Sequence, residues 1–191
     1  MHNAMKRILF SLLFVFSVIT AMAQDHLTFK NIPIDGPLTQ FLAKLKAEGF
    51  TQFETDSDGV WLIGKFTGQD CRVLVQATAS SHTVYAVYAL FTDRNDWSMA
   101  KADYGKLKAA LTKKYGEPHS EEEFEKPYKE DGYEFMHMKD GHVVWQSQYD
   151  TPLGSILLYI TDQSVLSGCA IVQYRDKKNS EKATDELADE L

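Results

Sequence analysis

The two cysteines are the most reactive side chains in the sequence, and the first question is whether they form a disulfide or remain free thiols. Cys71 and Cys169 each lie in a strand-like pattern, far from one another along the chain. An even number of cysteines in an oxidising compartment is typical of a disulfide. This bridge would close a loop of about 100 residues and contribute about 4–5 kcal/mol in the chain-entropy model. The alternative is two buried thiols on separate strands, because free cysteine is among the most buried residue types.

Two histidines are the best candidates for metal ligands. Around a turn at 140–141, His137 and His142 would be diagonal neighbours on one face of a hairpin, about 7–8 Å apart. A shared zinc ion needs closer ligands and a third one, and Lys139 stands between the two. The pattern therefore favours a solvated polar face. The chain also lacks a Gly-x-Ser-x-Gly elbow and a Gly-rich phosphate loop. We predict no catalytic residue, no metal ligand and no cofactor.

Aromatic residues make up 12% of the chain and suggest a binding surface. Trp61 and Trp145 each follow an Asp-Gly turn signal at a short distance. Aromatic anchors dominate many recognition surfaces, so these two tryptophans are candidates for a face that binds a carbohydrate or a protein. The alternative, which the pattern favours, is that both fill the core of a two-layer sheet protein.

Residues 1–23 have the organisation of a cleavable signal peptide. Lys6 and Arg7 precede an almost wholly apolar run over 8–19, and Ala21 and Ala23 are small residues that signal peptidase reads. The run is shorter than the roughly 20 residues that span a bilayer, which argues against an uncleaved membrane anchor. We therefore predict cleavage before Gln24, no later transmembrane segment, and a periplasmic or secreted protein.

The charge balance narrows the choice of partners. The chain has 27 acidic and 20 basic residues, a formal net charge of −7. The only charged residues that the predicted cleavage removes are Lys6 and Arg7, so the mature chain is more negative still. Proteins that bind nucleic acids present a basic face, and this sequence shows none. Nucleic acid is therefore excluded as a predicted partner.

The elements that position these residues follow a helix-then-strands order. Leu38, Phe41, Leu42 and Leu45 form an apolar helical stripe that begins after Pro37 and ends near Gly49. A second helix is predicted from about Ser98 to Lys114, before Gly116 and Pro118. An acidic linker is expected over 120–131. Strands are predicted over 52–57, 60–66, 71–77, 84–91, 133–138, 143–149, 155–161 and 168–175.

The predicted fold class is α+β. We expect a tandem repeat in which one helix is followed by three or four antiparallel strands, with the helices packed on one face of the sheet. The first repeat covers 24–95 and the second covers 96–176. A charged tail over 177–191 is expected to be frayed helix or disordered.

Two stretches carry a resemblance to known proteins. Phe29-Lys30-x-Ile32-Pro33-Ile34-Asp35-Gly36-x-Leu38 and Leu111-x-x-Lys114-Tyr115-Gly116-x-Pro118 resemble segments of exported, functionally uncharacterised proteins from Bacteroidetes. The predicted order of elements is similar to the tandem fold of β-lactamase inhibitor protein. Neither resemblance implies a catalytic residue, and a fold analogy alone assigns no function.

These observations predict a soluble, exported, non-enzymatic binding module of the periplasm or cell envelope. Its partner would be an envelope protein or a glycan, and an inhibitor-like or chaperone-like role is the sharper version of this hypothesis. The alternative is an exported hydrolase or glycan-processing enzyme that uses acidic residues. An enzyme would gather carboxylates or a nucleophile in one cleft, whereas a binding module would present an aromatic or sheet surface.

Overall fold

The computed structural model describes residues 25–189, so the predicted signal peptide and its cleavage site lie outside the described residues. In chain order the elements are β1 (Thr28–Phe29), β2 (Ile32–Pro33), α1 (Leu38–Ala47), β3 (Thr51–Thr55), β4 (Val60–Phe66), β5 (Gln69–Ala77), β6 (Val84–Phe91), α2 (Trp97–Tyr115), β7 (His119–Phe124), α3 (Glu134–Lys139), β8 (Val143–Thr151), β9 (Gly154–Ser164), β10 (Ser167–Asp176) and α4 (Lys177–Ala188). Over 25–189, no helix is both long and apolar enough to cross a membrane.

Eight strands form one antiparallel sheet in the order β3-β4-β5-β6-β10-β9-β8-β7. Strands β6 and β10 pair at its centre, where Leu90 lies opposite Ile171. Short connections join most neighbouring strands, as expected for antiparallel hairpins. Strands β1 and β2 form a separate two-stranded hairpin.

The predicted tandem helix-and-strand repeat is wrong. The strands belong to one continuous eight-stranded sheet, accompanied by a two-stranded sheet and four helices within 25–189. The physical reason is that β6 and β10 both carry apolar side chains on their two faces, so neither strand is suited to a sheet edge. The two strands pair with each other instead, and one large core forms in place of two separate ones.

The main core lies on one face of the sheet, under helices α1 and α2. Phe41 and Leu45 of α1 and Tyr104 and Leu107 of α2 are buried there against strand residues such as Val73. We call this the helical face and the opposite one the open face. Because side chains alternate along a strand, the residues between the core positions point to the open face.

Both helices that the apolar stripes predict are confirmed. Helix α2 begins at an N-cap, Asp96, whose carboxylate accepts a hydrogen bond from the backbone N–H of Met99 at 2.9 Å. It ends at Gly116, whose φ of +88° favours glycine. Helix α1 lies at Leu38–Ala47, as the stripe indicates.

Three segments differ from the sequence-based expectations. Helix α3 replaces the predicted strand at 133–138, because Phe135 and Met138, three residues apart, both pack on the core. Strand β7 occupies the predicted acidic linker, where Glu122 accepts a hydrogen bond from the Tyr104 hydroxyl at 2.8 Å. Helix α4 is formed where frayed helix or disorder was expected, and its buried Asn179 donates to the backbone oxygens of Ile34 and Val84.

Candidate binding surface

A second hydrophobic cluster lies on the open face and consists of strand residues alone. Its buried members are Leu90, Cys169 and Ile171, and three half-buried aromatic rings pack against them, Trp61, Tyr88 and Tyr159. We call these six residues the open-face cluster. They come from the four strands β4, β6, β9 and β10, so the cluster crosses the centre of the sheet.

The strand register arranges the open face in two adjacent rows that run across the sheet. The first row is Glu54, Trp61, Leu74, Tyr88, Gln173, Leu157, Gln148 and His119. The second row is Ile63, Arg72, Leu90, Ile171, Tyr159, Gln146 and Glu121. Directly opposite side chains on neighbouring strands are close enough to touch. Each row is therefore mainly apolar at its centre and has an acidic residue at one sheet edge.

Trp61 is fixed by the turn between β3 and β4. Its indole Nε1 donates a hydrogen bond to Asp56 Oδ2 at 2.8 Å, while Asp56 Oδ1 accepts from the backbone N–H groups of Asp58 and Gly59. Partial desolvation raises the pKa of Asp56, but these hydrogen bonds outweigh it and lower the pKa overall. The carboxylate therefore stays ionised and holds the indole ring in one orientation.

Tyr88 and Tyr159 supply the other two rings of the cluster. The Tyr88 hydroxyl accepts a hydrogen bond from Gln173 Nε2 at 3.1 Å. Burial raises the pKa of Tyr159 to about 12, so its phenol is neutral at physiological pH. Rings that combine an apolar body with a polar edge are the side chains that protein-binding surfaces use most.

An open groove of about 700 Å³ adjoins the cluster at the end of β4, β5 and β6. Ile63, which is 49% exposed, and Leu90 belong to both the groove and the open face. Three ion pairs stand around the groove: Lys30 with Glu48, Lys65 with Asp70 and Arg72 with Asp93. Because each of these carboxylates lies beside a cation, they form a charged border to an apolar floor.

The two predicted surface tryptophans lie on opposite faces of the sheet. Trp61 belongs to the open-face cluster, whereas Trp145 packs on the helical face beside Trp97 and Phe124, with ring centroids 5.3 and 6.1 Å away. The structure therefore does not bring Trp61 and Trp145 together in one surface. Trp145 takes the core position that the sequence favoured for it.

The two cysteines also lie on opposite faces and are free thiols. Cys71 belongs to the main core and Cys169 to the open-face cluster, with strand β6 between their strands. The candidate disulfide between them is therefore not formed, and the alternative of two buried thiols describes the structure. Burial raises the pKa of Cys71 to about 11 and that of Cys169 to about 12, so both thiols stay protonated.

The two candidate histidines flank an aromatic ring instead of a hairpin face. Tyr128 stacks on His142 with centroids 3.9 Å apart and lies 4.9 Å from the His137 ring. Each imidazole also contacts a carboxylate, His137 with Asp131 at 3.0 Å and His142 with Glu125 at 2.6 Å. Among residues 25–189, no group of three His, Cys, Asp or Glu side chains is arranged to hold a metal ion.

Sequence reasoning missed Tyr88, Tyr159 and the aliphatic centre of the open face. One signal was present: residues 84–91 are apolar on both faces, although only two helical stripes were available to cover the sheet. An apolar strand face left without a helix is a candidate surface. The neighbours of that face depend on the pairing of β6 with β10, which the sequence did not reveal.

Comparison of the chain with protein-family models, with curated proteins and with solved structures gives no match. The two resemblances described from the sequence therefore stay predictions.

Proposed function

We propose that this protein is an exported, non-enzymatic binding module that holds a partner protein on its open face. The observation that carries the proposal is the open-face cluster, in which three aromatic rings surround buried aliphatic side chains and no residue of the helices within 25–189 takes part. Exposed apolar surface that no helix covers is a candidate interaction site. The predicted signal peptide supports export.

The chemistry of the surface specifies the partner. The exposed aliphatic side chain of Ile63 lies on the same face as the rings, in the same row as the buried Leu90 and Ile171. Such a surface favours an apolar protein protrusion over a sugar, whose hydroxyl groups need polar partners. Glu54 and Glu121 stand exposed at the two edges of the face. We therefore propose a partner with an apolar protrusion bordered by basic residues, since complementary charges steer such encounters.

Site-specific photo-crosslinking in intact source cells tests this proposal. A benzophenone amino acid replaces Ile63 on the open face, and a matched chain carries it in place of Tyr133, which is 57% exposed at the N-cap of helix α3. We expect a discrete protein adduct from position 63 that position 133 does not give. Purified wild-type protein should compete for the partner and reduce the yield of this adduct. The Trp61→Ala variant should need at least tenfold higher concentration for the same reduction, as expected for a binding hot spot.

Two outcomes would overturn the proposal. One is the same adduct pattern from both positions, because it would mean that the open face has no specific partner. The other is retention of the protein on a glycan array that Trp61→Ala abolishes, which would assign the face to carbohydrate. Urea unfolding of Trp61→Ala is measured in parallel, so that lost competition is not confused with lost folding.

A further inference from the structure

A second cavity lies on the other side of the sheet, between helix α2 and the helical face. Its volume is about 210 Å³, somewhat more than the roughly 150 Å³ cavity that accommodates benzene in a protein core. Phe66 and Val172 of the sheet and Leu107 and Leu111 of α2 form its apolar wall. This size and lining suit a small apolar group about as large as one aromatic ring.

The hydroxyl of Tyr174 is an unused donor in the wall of this cavity. Tyr174 is 4% exposed, and its hydroxyl makes no hydrogen bond with any residue of the described chain, 25–189. Burial and the neighbouring phenol of Tyr115 raise the pKa of Tyr174, so the group remains a neutral donor. Within 25–189 the side-chain atoms that are both fully enclosed and without a hydrogen-bond partner are Trp97 Nε1 and Ser180 Oγ, so the Tyr174 hydroxyl reaches accessible space, where a ligand oxygen can accept its hydrogen bond.

One unpaired cation stands at the mouth of the cavity. Lys114 is exposed on the last turn of α2, with its Nζ 4.9 Å from the Tyr115 ring centroid, and it forms no ion pair with a carboxylate of residues 25–189. The other lysine of the lining, Lys30, is paired with Glu48 at 3.6 Å. Lys114 is thus the cation available to an anionic ligand.

Polar and apolar groups are separated along the cavity. Leu107 lies about two turns and Leu111 about one turn before Tyr115 on helix α2. The two leucines therefore line an earlier part of the helix than Lys114 and Tyr115 do. Tyr115 follows Lys114 directly on α2 and, like Tyr174, belongs to the lining of the cavity. The cavity therefore combines an apolar wall with the hydroxyl group of Tyr174 and the ammonium group of Lys114.

We propose that this cavity binds a small monocarboxylate whose apolar body is the size of one aromatic ring. The ring enters between α2 and the sheet, and the carboxylate at the opening accepts hydrogen bonds from Tyr174 and from the Lys114 ammonium group. This site is independent of the open face, because the two lie on opposite sides of the sheet.

Calorimetric titration of the full chain with phenylacetate tests the proposal. We expect saturable one-site binding, with phenylacetamide, which is uncharged, binding at least tenfold more weakly. Lys114→Met should weaken phenylacetate binding about tenfold and leave phenylacetamide unchanged. The matched control is Lys113→Met, which changes the adjacent exposed lysine of α2 outside the cavity lining and should bind phenylacetate like the wild type.

A second variant tests the hydroxyl group of Tyr174 and keeps the aromatic ring in place. Tyr174→Phe removes one hydroxyl group, and we expect phenylacetate affinity to fall by a factor of about five to ten. Absence of saturable phenylacetate binding to the wild type would overturn the proposal, as would equal affinity for phenylacetate and phenylacetamide. Trp61→Ala should bind phenylacetate normally, so failure here is distinguishable from failure of the proposed partner surface.

Discussion

Asp176 connects the first strand region, the sheet and the last helix through one buried carboxylate. Its Oδ2 accepts a hydrogen bond from the backbone N–H of Leu27 at 2.8 Å, and its Oδ1 accepts from the N–H of Asn179 at 3.0 Å as the N-cap of α4. His26 Nδ1 lies 3.1 Å from the same Oδ1. The side chain is fully buried, so no water can replace these contacts cheaply.

The expected cost of Asp176→Ala follows from these contacts. Loss of an N-cap costs about 1 kcal/mol, and leaving the buried Leu27 N–H without an acceptor costs a further 1–3 kcal/mol or so. We therefore expect the free energy of unfolding to fall by about 2–4 kcal/mol. Urea unfolding followed by tryptophan fluorescence at neutral pH measures this difference.

Asp96→Ala is the matched control, because Asp96 caps α2 in the same way but is exposed to solvent. There water can replace the lost acceptor for Met99, so the expected loss is only about 1 kcal/mol. Equal losses from Asp96→Ala and Asp176→Ala would refute the reasoning, because the buried amide of Leu27 would then contribute nothing.

Three further predictions concern a close packing contact, the thiols and an acid-labile contact. A Cβ at Gly64 would lie 2.4 Å from the buried Phe50 ring, so Gly64→Ala should lower the free energy of unfolding by about 1–3 kcal/mol. Cys71 and Cys169, whose pKa values are raised to about 11 and 12 by burial, should not react with Ellman's reagent in the folded protein, and both should react after unfolding in guanidinium chloride. Hydrogen bonds from the Ser81 side chain and from the backbone at 80–81 lower the pKa of Glu186 from 4.5 to about 2. The ionised carboxylate therefore stabilises the folded protein above pH 4.5, and this stabilisation is lost as the pH falls toward 2. Across that interval the free energy of unfolding of Glu186→Gln should fall less than that of the wild type.

Each of these predictions has a contrary result. Gly105→Ala on α2 is the glycine control: a Cβ there meets nothing within 4 Å, and the change should stabilise the helix by about 0.5–1 kcal/mol. A loss from Gly105→Ala equal to that from Gly64→Ala would contradict the role of Phe50. Release of no thiol after unfolding would reveal a disulfide. If the free energy of unfolding fell with pH equally in Glu186→Gln and in the wild type, protonation of Glu186 would not contribute to the loss of stability in acid.

Local patterns predicted helices α1 and α2 and most strands because their signals are contained within a few residues. The stripe from Leu38 to Leu45 identifies α1 by spacing alone, and the Asp58-Gly59 turn correctly separates β3 from β4. The prediction of a strand over 133–138 was wrong because a segment of six residues with apolar side chains at Phe135, Met136 and Met138 fits a strand as well as a helix. The contact of Phe135 with Trp97, with centroids 5.6 Å apart, decides between them and is invisible in the sequence.

The candidate surface was predictable only in part. Trp61 was identified as an aromatic anchor, but its partners Tyr88 and Tyr159 come from strands that meet through the β6–β10 pairing. Equal turn signals in the sequence suggested equal roles for Trp61 and Trp145, although the two side chains lie on opposite faces of the sheet. Which face a side chain occupies depends on strand register, and a shift of one residue reverses it.

The position of β10 also has a consequence for how this chain is made. It is the last in chain order of the ten strands within 25–189, yet it lies at the centre of the sheet between β6 and β9. Leu90 and Ile171 become partners only after about 80 intervening residues have been synthesised, and such non-local pairing slows folding. Nascent chains that stop before residue 167 would therefore display two unpaired strand edges and depend on chaperones until translation is finished.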